Sequence, residues 1–335
     1  MMVKGFKYLV LILLGVATLS EVQAQQDPQY SQFMYNKLPI NSAYTGGRDV
    51  LSIRALYRNQ WVGLDGSPQT ATLSIHSPLK NEDLAVGFNI VHDRLGTINQ
   101  TVVSGTYAYR IPLKNGIKFS FGVNAGFMYH VNKISEAAVN DINDVNLQSN
   151  VSRILPDIGA GIYIYHPEHF YVGVSVPNFI TSDEISKQRA QEAINTGGNV
   201  AQRSQHLMAM VGGVIPLGTE VLKLRPQAMF KHVINAEYDA PFSLDLNASF
   251  LIYDRVNIGA SYRTTFGKTD WPDRLENPYG VSGMVEFWAT KQLLIGYAYD
   301  YPLNKISDVT NGSHEIILGF DFNFEKNKII TPRYF

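Results

Sequence analysis

His166 and His169 are separated by two residues in the tetrapeptide His-Pro-Glu-His, a spacing that could seat a metal ion. A structural or catalytic zinc needs at least three protein ligands. No carboxylate cluster or third ligand accompanies this pair, so it reads as a solvated turn. The other histidines, His76, His92, His130, His206, His232 and His314, are dispersed along the chain. His76 and His130, with several serines, supply the residue types of acyl transfer, but that chemistry needs nucleophile, base and orienting group within reach of one another. No nucleophile elbow, phosphate-cradling loop or dinucleotide fingerprint occurs. Gly159-Ala160-Gly161 is glycine-rich but sits inside a strand pattern. Cysteine is absent, which removes disulfides, thiolate chemistry and a lipidated N-terminal cysteine. The expectation is a protein with no catalytic residues, no cofactor and no metal site.

The elements that carry these residues are more informative. In IKFSFGVNAGFMYHVN (117–132), Ile117, Phe119, Phe121, Val123, Ala125, Phe127, Tyr129 and Val131 alternate with Lys118, Ser120, Gly122, Asn124, Gly126, Met128, His130 and Asn132. Period-two alternation gives a strand with two unlike faces, and this one far exceeds the usual length of about five or six residues. Similar alternation predicts strands over 50–59, 69–77, 84–93, 99–111, 116–131, 155–165, 169–176, 205–216, 221–232, 242–253, 255–265, 280–289, 292–301 and 313–324, fourteen in all. An even number of antiparallel strands suits a single-chain outer-membrane barrel. With the termini on one side, the even-numbered connections are short, while most odd-numbered ones, including 132–154 and 177–204, are long and polar. A barrel sorts its turns and loops this way, whereas a Greek-key sandwich does not.

Face composition agrees. Phe242, Leu244, Leu246, Ala248, Phe250 and Ile252 oppose Ser243, Asp245, Asn247 and Ser249. The polar faces are small and sparsely charged, and Arg54, Arg110, Arg225 and Arg263 can be balanced by Asp157, Asp245 and Asp321 across a shared lumen. Closure also removes the exposed edges that so many strands would leave. Charged residues make up 17 %, aromatics reach 12 % with 19 tyrosines, and the net charge is −1. That balance fits a lipid-facing surface with aromatic borders and leaves no basic footprint for nucleic acid. In the last strand Gly319, Phe322 and Phe324 form the glycine-then-aromatic pattern read by barrel-insertion machinery, with Ile317 where a polar residue is usual.

The fold class predicted is therefore all-β: a transmembrane antiparallel β-barrel of about fourteen strands over 50–324, preceded by a plug-like segment. Residues 1–24 read as a signal peptide, with Lys4 and Lys7 before the apolar run 8–19 and small residues before cleavage after Ala24. Residues 25–49 lack either period and carry Tyr30, Phe33, Met34, Tyr35 and Tyr44, too apolar to dangle in water. They are expected to plug the lumen; the alternative is packing beneath the barrel against a partner. Residues 325–335 are expected to form a periplasmic tail. Arg58, Asn59, Gln60 and Trp61 open a compact first loop with Gly63, Asp65, Gly66 and Pro68. They form an outer-loop interaction motif or, equally, a structural turn beside an aromatic girdle.

DPQYSQFMYNKLPINSAYTGG (27–47), YRNQWVGLDGSPQT (57–70), HDRLG (92–96) with AYRIPL (108–113), and the closing TPRYF resemble the PorP/SprF family of type IX secretion system outer-membrane proteins of Bacteroidota. The chain departs from the family's Asn-Pro-Ala-Tyr-Ala-Gly run at Ser42 and Thr45. The resemblance implies a non-enzymatic protein that helps export, dock or anchor large surface proteins, gliding adhesins among them. Its implied partners are the cargo's C-terminal domain at the outer loops, other secretion components on the periplasmic side, and outer-membrane lipid. The rival expectation is a fourteen-stranded channel for hydrophobic or small solutes with an N-terminal hatch. A barrel hydrolase is the third and least supported.

Overall fold

The structure, a computed structural model, describes residues 29–133, 150–180, 205–219, 221–234, 242–266, 280–322 and 334. Its elements are β1 (Leu51–Asn59), β2 (Gln69–Pro78), β3 (Leu84–Leu95), β4 (Ile98–Pro112), β5 (Lys118–Asn132), β6 (Val151–His166), β7 (Phe170–Val176), β8 (Gln205–Gly213), β9 (Ile215–Thr219), β10 (Leu222–Ile234), β11 (Phe242–Ile252), β12 (Val256–Phe266), β13 (Gly280–Trp288), β14 (Leu293–Pro302) and β15 (Ser313–Phe322). All pair antiparallel with their neighbours, and the ring shuts where Leu51 of β1 faces Phe322 of β15. β8 and β9 lie end to end against β10, so the wall has fourteen staves, as the alternation predicts.

The one broken stave has a local cause. Val214 leaves the ladder and donates its N–H to the His169 carbonyl in the β6–β7 turn, 2.8 Å away. Pro216 then offers no N–H to β10, and the register shifts between Leu222 and Lys223.

Parity decides which way each side chain points. In β5, Phe121 is 48 % exposed while its neighbour Ser120 is fully buried. An oily face turned outward and a small polar face turned inward is the inverse of a soluble β-protein, and only lipid makes that arrangement favourable. The outer face carries aromatic belts at both rims. Near the loop end Phe230, Phe242 and Phe266 stack in sequence at 5.4 and 5.5 Å. Near the opposite end Tyr107, Tyr109, Phe121 and Tyr253 stand exposed.

The two ends differ. Where β1 meets β15 the connections are short: 79–83, 113–117, 167–169, 220–221, 253–255 and 289–292. We call this the turn end. At the loop end most connections are longer, the exception being the two-residue link Gly96-Thr97. Most of the two longest loops anticipated from sequence, 132–154 and 177–204, lies outside the described residues.

Candidate functional site inside the barrel

Inward parity delivers an unusual set of polar side chains to one enclosed space. Arg54, Arg58, Arg110, Arg225, Asp245, Glu286, Asp300, Glu315 and Asp321 are all buried. Charges out of water need partners, and many of these partners come from the segment that precedes β1. Residues 29–50 lie within the ring, most of them buried, as two single 3-10 turns (Phe33–Tyr35 and Ser42–Tyr44) joined by extended chain.

At the loop-end side Glu315 accepts from the backbone N–H groups of Ser31 (2.9 Å) and Gln32 (2.7 Å) and from Arg58 (3.0 Å). Arg58 also pairs with Asp300, to which the Ser31 hydroxyl donates at 2.6 Å. The segment then descends to Tyr35, whose hydroxyl donates to Glu286 (3.2 Å) and accepts from Arg225 (2.8 Å). Lys37 lies 3.9 Å above the Tyr171 ring and faces Tyr44 at 5.2 Å and Tyr163 at 6.0 Å. Lys37 is 1 % exposed, and a cation held out of water is unfavourable unless compensated. The facing tyrosine rings favour its charged form in compensation.

The return limb is pinned to the wall between β4 and β7. Ile40 and Ala43 offer their carbonyls to the hydroxyls of Ser175 (2.7 Å) and Ser120 (2.6 Å). Asn41 caps the second 3-10 turn by accepting from the Ala43 N–H at 2.9 Å, and donates to the Ile162 carbonyl at 3.0 Å. This contact needs bare backbone on the wall: a Cβ on Gly122 would collide with Ser42 and Ala43, and one on Gly161 with Asn41. At the turn end Arg48 and Arg54 each reach Asp321 at 2.8 Å, and Asp49 pairs with Arg110 and Lys118. A cavity of about 80 Å³ remains beside Leu38–Ile40, lined also by Val91, Val102 and Met208.

Tyr30, Phe33, Met34 and Tyr44 are buried within this assembly, and Tyr35 packs at its margin. The stretch 58–61 is divided. Arg58 points into the lumen, while Asn59 ends β1 opposite His314 and Gln69. Gln60 donates its N–H to Pro68, and Trp61 donates its N–H to the Ser313 hydroxyl at 3.1 Å. Trp61 has φ +52°, and Val62 and Asn311 continue the bonding, so the first and last loops form one unit at that rim. Sequence reasoning missed Ser31, Gln32 and Asn41, which hydrogen-bond to the wall, and Lys37, which faces the tyrosine rings, because attention went to the aromatics of the segment. It also missed Glu286, Asp300 and Glu315, of which Glu315 alone shares a strand and its inward parity with a residue already assigned to the lumen, Asp321.

His76 and His130 have separate partners. His76 accepts from the Gly46 N–H at 3.1 Å, and His130 meets Gln100 at 3.1 Å. His166 and His169 stack at 4.2 Å. Among the described residues no three His, Asp or Glu side chains are grouped to hold a metal ion.

A comparison with curated proteins finds no match. Among solved structures, the barrel is similar to a Pseudomonas aeruginosa FadL homologue at 12 % identity and a TM-score of 0.50, covering 90 % of this chain and 96 % of that one. It is also similar to the Acinetobacter baumannii outer membrane protein Omp33, at 10 % identity and a TM-score of 0.43, over 82 % and 98 % of the two chains. At such identities the first likeness speaks for the fold alone. The model of the family described as type IX secretion system membrane protein PorP/SprF matches residues 22–320. This outer-membrane barrel therefore belongs to the PorP/SprF family of type IX secretion system membrane proteins.

Proposed function

We propose that the protein is a closed, non-enzymatic barrel whose long loops dock or anchor the C-terminal domain of a secreted surface protein. Its turn end would contact other secretion components. In this reading residues 25–49 act as a plug, residues 1–24 are removed as a signal peptide, and outer-membrane lipid surrounds the wall. The observation that carries it is the bonding of the N-terminal segment to inward groups of strands all around the ring, from Ser120 and Ser175 to Glu286 and Glu315. A lumen occupied by so many satisfied hydrogen bonds favours a docking platform over a conduit, because each bond abandoned inside would leave a buried polar group unsatisfied.

The test is deletion of residues 183–202 within the 177–204 loop. Pro177 is left in place, because its carbonyl accepts from Asn124 at 3.1 Å. Cargo should then appear in the medium while the barrel keeps its heat-modifiable migration. Full surface retention of every cargo would overturn the docking role.

A further inference from the structure

Tyr334 is recognised at every polar group it has. Its backbone N–H donates to the Pro167 carbonyl of the β6–β7 turn at 3.1 Å, and its carbonyl accepts from Arg225 Nη2 at 3.1 Å. The ring lies 5.0 Å from the Lys223 ammonium. The hydroxyl accepts from that ammonium and donates to Asp254 Oδ1 at 2.9 Å. Asp254 also binds Lys223, at 2.9 Å. Arg225, through its other terminal nitrogen, holds Tyr35 at 2.8 Å, so one guanidinium grips both the N-terminal segment and Tyr334.

Three separate parts of the turn end converge here: the β6–β7 turn, the inward face of β10 and the β11–β12 turn. Lys223 and Arg225 are both buried, and a buried cation is unfavourable unless paired. Tyr334 supplies an acceptor to each. Burial raises the Tyr334 hydroxyl above the usual tyrosine range, which keeps it protonated and able to donate to Asp254.

We infer that the turn-end mouth contains a built receptor for a tyrosine and its backbone groups, formed by Pro167, Lys223, Arg225 and Asp254, and that the chain fills it with its own Tyr334. The receptor reads backbone through Pro167 and Arg225 and side chain through Lys223 and Asp254. A phenylalanine would keep the ring over the ammonium and lose both hydroxyl bonds. This site lies outside the secretion reading and does not depend on it.

The test is residue-resolved amide hydrogen exchange on the full-length protein in lipid nanodiscs. The Tyr334 amide should exchange at least tenfold more slowly than an unprotected amide. Tyr334→Phe should speed it severalfold, as should Asp254→Gly. Glycine suits the φ of +53° at that position, so the turn is expected to form. Heat-modifiable migration checks that each variant folds. Exchange at the unprotected rate in the wild-type protein would overturn the inference whatever the variants do. Slow exchange unchanged in the folded variants would overturn it equally.

Discussion

Two buried cations on the inside of the barrel have opposite expected weights. Arg58 neutralises two acids, Glu315 and Asp300, while Lys37 rests against tyrosine rings. Arg58→Met leaves both carboxylates without their cation and should cost about 3–5 kcal/mol. Lys37→Met keeps a side chain of similar length over the rings and removes a desolvated charge, so stability should change by no more than about 1–2 kcal/mol, in either direction. Urea unfolding in lipid vesicles measures both. A loss at Lys37 as large as that at Arg58 would mean the ammonium itself holds the segment. Much of this was legible from parity. Arg54 was already assigned inward, and Arg58, four residues on in the same strand, shares its face. The pairings were not legible, because Arg54 meets Asp321 and Arg58 meets Glu315 from opposite ends of the chain.

At the scale of elements, the strands were readable because lipid outside and polar side chains inside impose the same period on every stave. Irregular pieces carry no such period. The turns Phe33–Tyr35 and Ser42–Tyr44 are single turns too short to show one. The break at Val214 arises from a bond to His169 in another turn. The fit between segment and wall depends on a few glycines, above all Gly122. Gly122→Val should leave the strands paired but drive Ser42 and Ala43 off β5. The expected outcome is a heat-modifiable barrel with normal migration in which protease cleaves within residues 38–47 several times faster than in the wild type. Cleavage as slow as in the wild type would show that the wall yields instead.

For the molecule as a whole, loop parity and strand count pointed to the barrel before any contact was known. The bonding at Tyr334 had no period or composition to announce it. If the lumen is plugged, the wild-type protein in planar bilayers should conduct poorly, and deletion of residues 29–47 should raise conductance at least severalfold in barrels that still fold. Unchanged conductance would remove the plug. The seating of the segment also bears on how the barrel is made. Ser31, Gln32 and Arg48 bond to Asp300, Glu315 and Asp321 across 269 to 284 residues of chain. Contacts of that separation form late, since a long loop must close before they contribute. Until β14 and β15 have joined the ring, the segment lacks its loop-end acceptors Asp300 and Glu315. Closure of the β1–β15 seam and seating of residues 29–50 therefore draw on the same strand, β15, and on contacts of the same long separation.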